Sequence, residues 1–483
     1  MRARGAKPYL ASRAVPAAFS KARLTARFFL AKARFTIIGA LNIRVAANEP
    51  LEESKSMKSQ NILAAAAILL ATASGTAYAQ YTRGGRSQST TPQAPQQKQQ
   101  QPGTLGAGSL KVSREAFKAL SELKAAVDAN DVANIPAKVA AAQAVARKPQ
   151  DRYILGQLQL QAASKAKDDA AAATAIQAML DTGVAPADQI GALTMTLAKT
   201  RYNLKQYDAA ATALERLVAA NANNSDALAL LAETRNAQGR PAEAVAALQK
   251  ALKAQANAGQ KAPSDWYKRA VAIAYTAKLP VALQLSREWV AAYPTAANWN
   301  DALKVYRGLQ PKDPVLQLDA LRLGRAVNAL GGESDYHVYL YNAVEAGAIG
   351  EAKAVYDEGI ASGKIDANKA AFREAAGVIK QKIGTNDPAL LESSAKAAIA
   401  GSAARPALRT ADALYGIGHY AKAAELYRAA LGKSGADANL LNLRLGMALA
   451  RAGDKAGATA ALNAVGGAQA ELAKYWLLYV ATH

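Results

Sequence analysis

The stretch that decides the fold is residues 225–258, which read SDALALLAETRNAQGRPAEAVAALQKALKAQANA. Its apolar positions recur every three to four residues up to Gly239 and resume after Pro241, which is the period of an amphipathic helix. Glycine favours the end of a helix and proline favours its first turn, so Gly239-Arg240-Pro241 predicts a tight connection between two helices. The stretch therefore predicts a helix hairpin.

The same pattern recurs along the chain. A copy lies 34 residues earlier, where Leu197, Ala198, Ala210 and Leu214 stand in the places of Leu231, Ala232, Ala244 and Leu248. Further units contain Trp266, Tyr336, Tyr427 and Leu445. A period near 34 residues with small residues at fixed places indicates an array of stacked hairpins, in which each hairpin contacts mainly its neighbours. We therefore expect truncation from the C-terminus to remove structure progressively.

These units resemble the tetratricopeptide repeat family, most clearly over 191–294 and 333–465. The residues that match its large, small, small and closing proline positions are Trp266, Ala270, Ala282 and Pro294; Leu228, Ala232 and Ala244 match without the proline. The resemblance implies an all-α fold: a right-handed α-solenoid of stacked helix-turn-helix hairpins, with a concave groove that holds a peptide or partner helix. Some members clamp a C-terminal carboxylate with Lys and Asn, but Met195, Lys199 and Leu230 stand at those places here, so this clamp is not expected.

Composition supports helices and excludes several kinds of site. The chain has 483 residues, of which 51% are hydrophobic but only 6% aromatic, so Ala and Leu carry the apolar fraction and favour helices over β-sheets. Cysteine is absent, which excludes disulfides, thiolate zinc sites and cysteine nucleophiles. The formal net charge is +22. Much of it lies in the N-terminal segments described next, so the remainder is only mildly basic.

The N-terminal part has the features of an export signal. Residues 57–79, MKSQNILAAAAILLATASGTAYA, combine a lysine, an apolar run and a small-x-small cleavage site, so the mature chain is expected to begin at Gln80. Residues 1–56 then form a basic extension, which is either transit-peptide-like or the product of a start assigned upstream of Met57; the intact signal favours the second. Residues 80–108, rich in Gln, Pro, Ser and Gly, indicate a disordered linker.

The rest of the chain divides by how clearly the hairpin pattern is kept. The predicted parts are divergent helical hairpins over 109–190, tetratricopeptide-like repeats over 191–362, an irregular helical hairpin over 363–404, and further repeats with a capping helix over 405–483.

No catalytic arrangement is evident in the sequence. Gly432-Lys433-Ser434 resembles the end of a phosphate-binding loop, but Tyr427 stands where the first glycine is required. The three histidines, His337, His419 and His483, are too far apart for local metal-ligand spacing. We expect no enzymatic activity, no cofactor and no metal.

Candidate partner-binding residues are those on the first helix of each hairpin, on the side away from the buried positions. They are Lys199, Tyr202, Asn236, Tyr267, Tyr275, His337, Tyr341, Arg405, Arg409, Tyr415, Arg444 and Arg451. Tyrosine and arginine are common in adaptable interfaces, because they combine contact area with planar donors. The four arginines predict that the partner has an acidic segment.

The sequence therefore predicts an exported, periplasmic or secreted scaffold that binds a protein or peptide, in envelope assembly or polysaccharide export. Two alternatives stay open: a helical scaffold domain of a peptidoglycan-acting enzyme complex, and a nucleic-acid-binding helical-repeat protein. The interspersed acids speak against a nucleic-acid partner. The signal's apolar run is too short to span a bilayer, and no membrane span is expected in the mature chain.

Overall fold

The structure is a computed structural model that describes residues 110–310 and 313–483. The predicted extension 1–56, signal 57–79 and linker 80–108 lie outside the described residues. The described chain divides into two compact units, 110–279 and 280–483.

The first unit consists of helices joined by short connections. They are α1 Arg114–Asp128, α2 Ile135–Val145, α3 Pro149–Ala166, α4 Asp169–Asp181, α5 Ala187–Asn203, α6 Tyr207–Ala220, α7 Ser225–Ala237, α8 Pro241–Asn257 and α9 Ser264–Thr276.

Local sequence signals account for where these helices begin and end. The Asn224 side chain accepts a hydrogen bond from the Ala227 backbone N–H at 3.0 Å, which caps the start of α7. Gly239 follows α7 with φ +73°, a left-handed conformation that glycine adopts without strain, and Pro241 is the first residue of α8. The predicted hairpin over 225–258 is therefore confirmed.

Small residues allow the helices of the first unit to approach closely. Ala198, Ala210, Ala232 and Ala244 are all fully buried between helices. Each helix of this unit packs on its neighbours in sequence, with next-neighbour contacts such as α1 with α3 and α5 with α7. The expectation that hairpins contact mainly their neighbours holds in this unit.

The second unit contains more helices and a different packing. They are α10 Val281–Ala292, α11 Ala296–Leu309, α12 Pro314–Ala326, α13 Glu333–Glu345, α14 Ile349–Ala361, α15 Ala370–Lys382, α16 Pro388–Ala400, α17 Ala404–Gly416, α18 Tyr420–Leu431, α19 Ala438–Ala452, α20 Lys455–Asn463 and α21 Ala470–Thr482, with 3-10 turns at Ile383–Asn386 and Gly467–Gln469.

The second unit doubles back on itself. Helices α10 to α15 form one row and α16 to α21 form another, and the rows pack face to face: α10 and α12 contact α21, α14 contacts α17, and side chains join α12 to α19. The reversal falls between α15 and α16, since α15 packs on α13 and α14 whereas α16 packs on α17 and α18. Contacts between sequence neighbours therefore still predominate in residues 280–483, and the contacts between the two rows, which the hairpin pattern did not predict, are added to them.

The prediction of an all-α array of helix hairpins is confirmed. Across residues 110–310 and 313–483 no β-strand occurs, and a pairing such as Ala403 with Ser434 is an isolated bridge. No helix in this part of the chain is long and apolar enough to cross a membrane.

Candidate functional site

The first unit presents a half-buried face built from α5, α7 and α9. Lys199 and Tyr202 lie on α5, Asn236 on α7, and Tyr267 and Tyr275 on α9, and all five side chains are neither fully buried nor fully exposed. Lys199 and Tyr202 are three residues apart and Tyr267 and Tyr275 eight apart, spacings that keep each pair on one side of its helix, away from the core alanines. We call these five residues the first-unit face.

A buried ion pair underlies this face. The guanidinium of Arg269 on α9 donates from Nε to Glu233 Oε1 at 2.9 Å and from Nη2 to Glu233 Oε2 at 2.7 Å. Both side chains are almost fully buried. Burial raises the pKa of Glu233, and the Arg269 charge and hydrogen bonds oppose that shift. The bidentate geometry fixes α7 against α9 and so holds the face in one arrangement.

The charges of the Glu233–Arg269 pair also act on the hydroxyl of Tyr202. Burial raises the pKa of its hydroxyl to about 12, with Glu233 and Tyr207 adding to the shift and Arg269 opposing it. Its ring lies 5.6 Å from that of Tyr207. The hydroxyl is therefore a neutral donor at physiological pH and can bind a carbonyl or carboxylate of a partner.

A second groove in the first unit was not predicted from the sequence. Its volume is about 470 Å³, and it lies among α2, α3 and α4, with Ile135, Val139 and Ala162 on its walls and Lys165 at its edge. Lys165 already donates to the backbone oxygens at the end of α1. Only Ala142 of α2 is fully buried, which leaves the other apolar residues of that helix partly uncovered beside the groove.

In the second unit the two candidate residues on α13 differ in their exposure to solvent. Tyr341 is half-buried, whereas His337 is buried and its ring meets that of Phe372 edge-on at 6.1 Å. Burial lowers the pKa of His337, with Glu333 opposing the shift. Its place on an exposed face, taken from helical spacing, is wrong, because α15 covers that side of α13.

Arg444 lies inside the second unit. Its Nη1 donates to Asp412 Oδ2 at 2.7 Å and its Nε to Asp319 Oδ2 at 3.1 Å. Asp319 also accepts from Arg322 Nη1 at 2.7 Å, and Arg322 holds both carboxylate oxygens of Glu351 at 2.9 and 2.6 Å. This buried ionic cluster joins α12 and α14 of one row to α17 and α19 of the other. The predicted exposure of Arg444 is therefore wrong.

Tyr415 is buried at the same junction. The guanidinium of Arg322 lies 5.1 Å from the centre of its ring, and burial raises the pKa of Tyr415. The placement of Tyr415 on an open groove is wrong for the same reason as that of Arg444: the first-helix face of this row is covered by the second helices of the other row.

The remaining arginines stay accessible to different degrees. Arg405 and Arg409 on α17 are exposed, and neither makes an ion pair with any described residue. Arg451 is half-buried, with its guanidinium 4.9 Å from the centre of the Tyr420 ring and Nη2 donating to the Tyr420 hydroxyl at 3.1 Å. Of the four candidate arginines, only Arg405 and Arg409 are exposed with no ion pair to a described residue.

Among residues 110–310 and 313–483 no group of three histidines or acids is placed to hold a metal ion. The carboxylates of Glu233, Glu351 and Asp412 are each bonded to an arginine.

The match to a sequence-family model agrees with the hairpin geometry. A sequence model of the tetratricopeptide repeat family matches residues 195–261, in the first unit, and 408–471, in the second. No curated protein matches the chain. One similar solved chain belongs to the "Structure of Naa15/Naa10 bound to HypK-THB"; it shares 15% sequence identity with a TM-score of 0.37, and the match covers 74% of this chain and 58% of that one.

Proposed function

We propose that this chain is a non-catalytic, exported scaffold that binds a protein or peptide partner on the first-helix faces of its tetratricopeptide-like hairpins, in cell-envelope assembly or polysaccharide export. The observation that carries the proposal is the first-unit face: three tyrosines, a lysine and an asparagine held half-buried on successive first helices. Half-buried tyrosines give contact area at a low entropic cost, as protein-binding surfaces require.

The rigidity of this face supports a binding role. Arg269 and Glu233 fix α9 against α7 beneath it, so its side chains need little rearrangement to meet a partner. Pre-organisation of this kind raises affinity by reducing the ordering that binding requires.

An acidic segment of the partner is proposed to meet Arg405 and Arg409. These side chains lie one helical turn apart on α17 and are exposed without an ion-pair partner among the described residues. Exposed pairs of this kind contribute more to association rate and salt dependence than to affinity.

Export is proposed from the signal-like residues 57–79, and intact-mass measurement of the protein recovered from cells tests it. A species beginning at Gln80 is expected. A dominant species that retains residues 1–56 would exclude this form of export.

Site-specific cross-linking tests the binding surface. A photoreactive residue placed at Lys199 or Asn236 should capture one protein or peptide from envelope extract. The matched control is Thr212, which is exposed on α6, the second helix of its hairpin. Capture from the first-helix positions with none from Thr212 supports the proposal; equal capture from all three positions would show that the face is not the binding surface.

A further inference from the structure

The last helix, α21, is docked on the helix that begins the second unit. The hydroxyls of Tyr475 and Ser286 share a hydrogen bond of 2.6 Å, and both lie within bonding distance of the Leu283 carbonyl, at 3.2 and 3.0 Å. Glu471 accepts from Arg287 Nη1 at 2.6 Å. The same guanidinium lies 5.2 Å from the centre of the Tyr475 ring. One face of α21 thus presents a carboxylate and, one turn later, an aromatic hydroxyl to α10.

Apolar burial accompanies these polar contacts. Leu472 and Trp476 of α21 are fully buried, and Tyr475 meets the ring of Tyr306 on α11 at 5.7 Å. This combination of an apolar stripe with a few oriented polar groups is how an amphipathic helix binds in a groove.

Two features indicate that the contact between α21 and α10 can open. The Tyr306 hydroxyl and Trp476 Nε1 are buried and have no hydrogen-bond partner among the described residues, and an unpaired buried donor weakens the interface that contains it. In addition, α20 ends at Asn463 and α21 begins at Ala470. The six connecting residues are not α-helical, so α21 can leave its contacts with α10, α19 and α20 without unwinding α20.

We propose that α21 is a helix bound in cis, and that the faces of α10 and α12 beneath it are a second docking site that α21 covers reversibly. The partner that fits this site is an amphipathic helix with a carboxylate one turn before a tyrosine-tryptophan pair, the chemistry of Glu471, Tyr475 and Trp476. A partner for this site rests on the proposed scaffold function. The docking of α21 on α10 and α12 does not, because it involves only this chain.

The test uses the chain's own helix as the probe. A protease recognition sequence is inserted between Gly466 and Gly467 of the full chain, the folded protein is cut, and a labelled peptide of residues 467–483 is added. The peptide should exchange into the cut chain and should not bind the uncut chain. Exchange is followed by fluorescence anisotropy, and helicity is recorded before and after the cut.

A matched pair of peptides tests the contacts. Tyr475→Phe removes the hydroxyl that bonds Ser286, and this peptide should compete at least about fivefold less well. Tyr479→Phe alters a half-buried tyrosine of the same helix whose ring contacts Trp476 and His483, and this peptide should compete as well as the unaltered one.

Three outcomes of the peptide experiment would overturn the proposal: no exchange into the cut chain, equal competition by the two variant peptides, or a loss of helicity on cutting that exceeds one helix. Hydrogen exchange on the uncut chain gives an independent check. The amides of α21 should exchange by an opening that leaves α19 protected. Equal protection of α19 and α21 would show that α21 is an integral part of the core. The proposed function on the first-unit face stands or falls separately, since that unit takes no part in this experiment.

Discussion

The guanidinium of Arg444 lies between two carboxylates that come from different rows of the second unit, Asp319 on α12 and Asp412 on α17. Burying ions is costly, so such a cluster stabilises a fold only when every member is paired and hydrogen-bonded. Here Asp412 also accepts from the Tyr427 hydroxyl at 2.7 Å, and Glu351 from the Tyr339 hydroxyl at 2.8 Å. The cluster therefore specifies which faces of the two rows meet.

Replacing Arg444 should destabilise the second unit strongly. Arg444→Met leaves the Asp319 and Asp412 carboxylates buried without this cation, which should cost about 3–5 kcal/mol of unfolding free energy. Urea unfolding followed by tryptophan fluorescence measures this, because Trp289, Trp299 and Trp476 all lie in the second unit. Arg409→Met, at an exposed position one turn before Asp412, is the control and should change little. A similar midpoint shift for both variants would contradict the account of the cluster.

Acidification should weaken the second unit through Glu351. Burial alone would raise the pKa of this carboxyl, but the charge and hydrogen bonds of Arg322 and the Tyr339 hydroxyl outweigh it, so the pKa lies below its usual 4.5. A carboxyl whose pKa is lower in the folded state adds stability above its unfolded pKa and loses it as the pH falls through the folded value.

Glu351→Gln should therefore lower the urea midpoint at about pH 7 and flatten its fall toward about pH 4. Asp412 acts in the opposite sense, since burial raises its pKa despite Arg444. Its protonation therefore does not add to the acid-side loss. If the urea midpoints of wild type and Glu351→Gln fell in parallel with pH, Glu351 would not be the group responsible for the loss of stability in acid.

At the scale of the helices, glycine determines how closely the two rows approach. Gly416 ends α17 directly against α14, where a Cβ atom would lie 2.6 Å from Glu351 Cβ. Helices can pack at this distance only where one of them lacks a side chain. The contact joins the rows at the end nearest their reversal.

Gly416→Ala should force α17 away from α14 and cost about 1–3 kcal/mol of unfolding free energy. Gly377→Ala on α15 is the matched control, because nothing lies within 4 Å of its added methyl group. There the helix should be stabilised by about 0.5–1 kcal/mol. Thermal unfolding by circular dichroism compares the two, and a stabilising Gly416→Ala would contradict the close approach.

The hairpins were predictable because their signals are local. Gly239 and Pro241 mark the end of one helix and the start of the next, and the alanines of these helices recur at fixed places. The half-buried position of Tyr202 and Tyr267 follows from helical spacing. Spacing cannot distinguish solvent from a second packing face, which is why Arg444 and Tyr415 were misplaced. Asp319 and Arg444 are 125 residues apart, and contacts at such separation leave no local pattern. The irregular region 363–404 was the one sequence sign of the reversal.

At the scale of the whole molecule, the two units should respond differently to truncation. In the first unit helices pack on sequence neighbours, so it should keep its helicity in a chain that ends at 432. The second unit should lose most of its helicity in that chain, since α19 to α21 provide the faces on which α10 and α12 pack. Circular dichroism measures the total loss of helicity, and hydrogen exchange shows which of the two units has lost it. Retention of α10 to α14 as protected helices would contradict the two-row arrangement.

The most direct test of the doubled-back second unit is a distance between its first and last helices. The chain has no native cysteine, so spin labels attached to Glu288→Cys on α10 and Lys474→Cys on α21, both exposed positions, report a single pair. Helices in contact pack with axes about 8–10 Å apart, so pulsed electron spin resonance should give a narrow distribution centred at roughly 15–25 Å. An array that does not reverse would separate these helices by several hairpin widths, on the order of 50 Å. A distribution centred there would contradict the account.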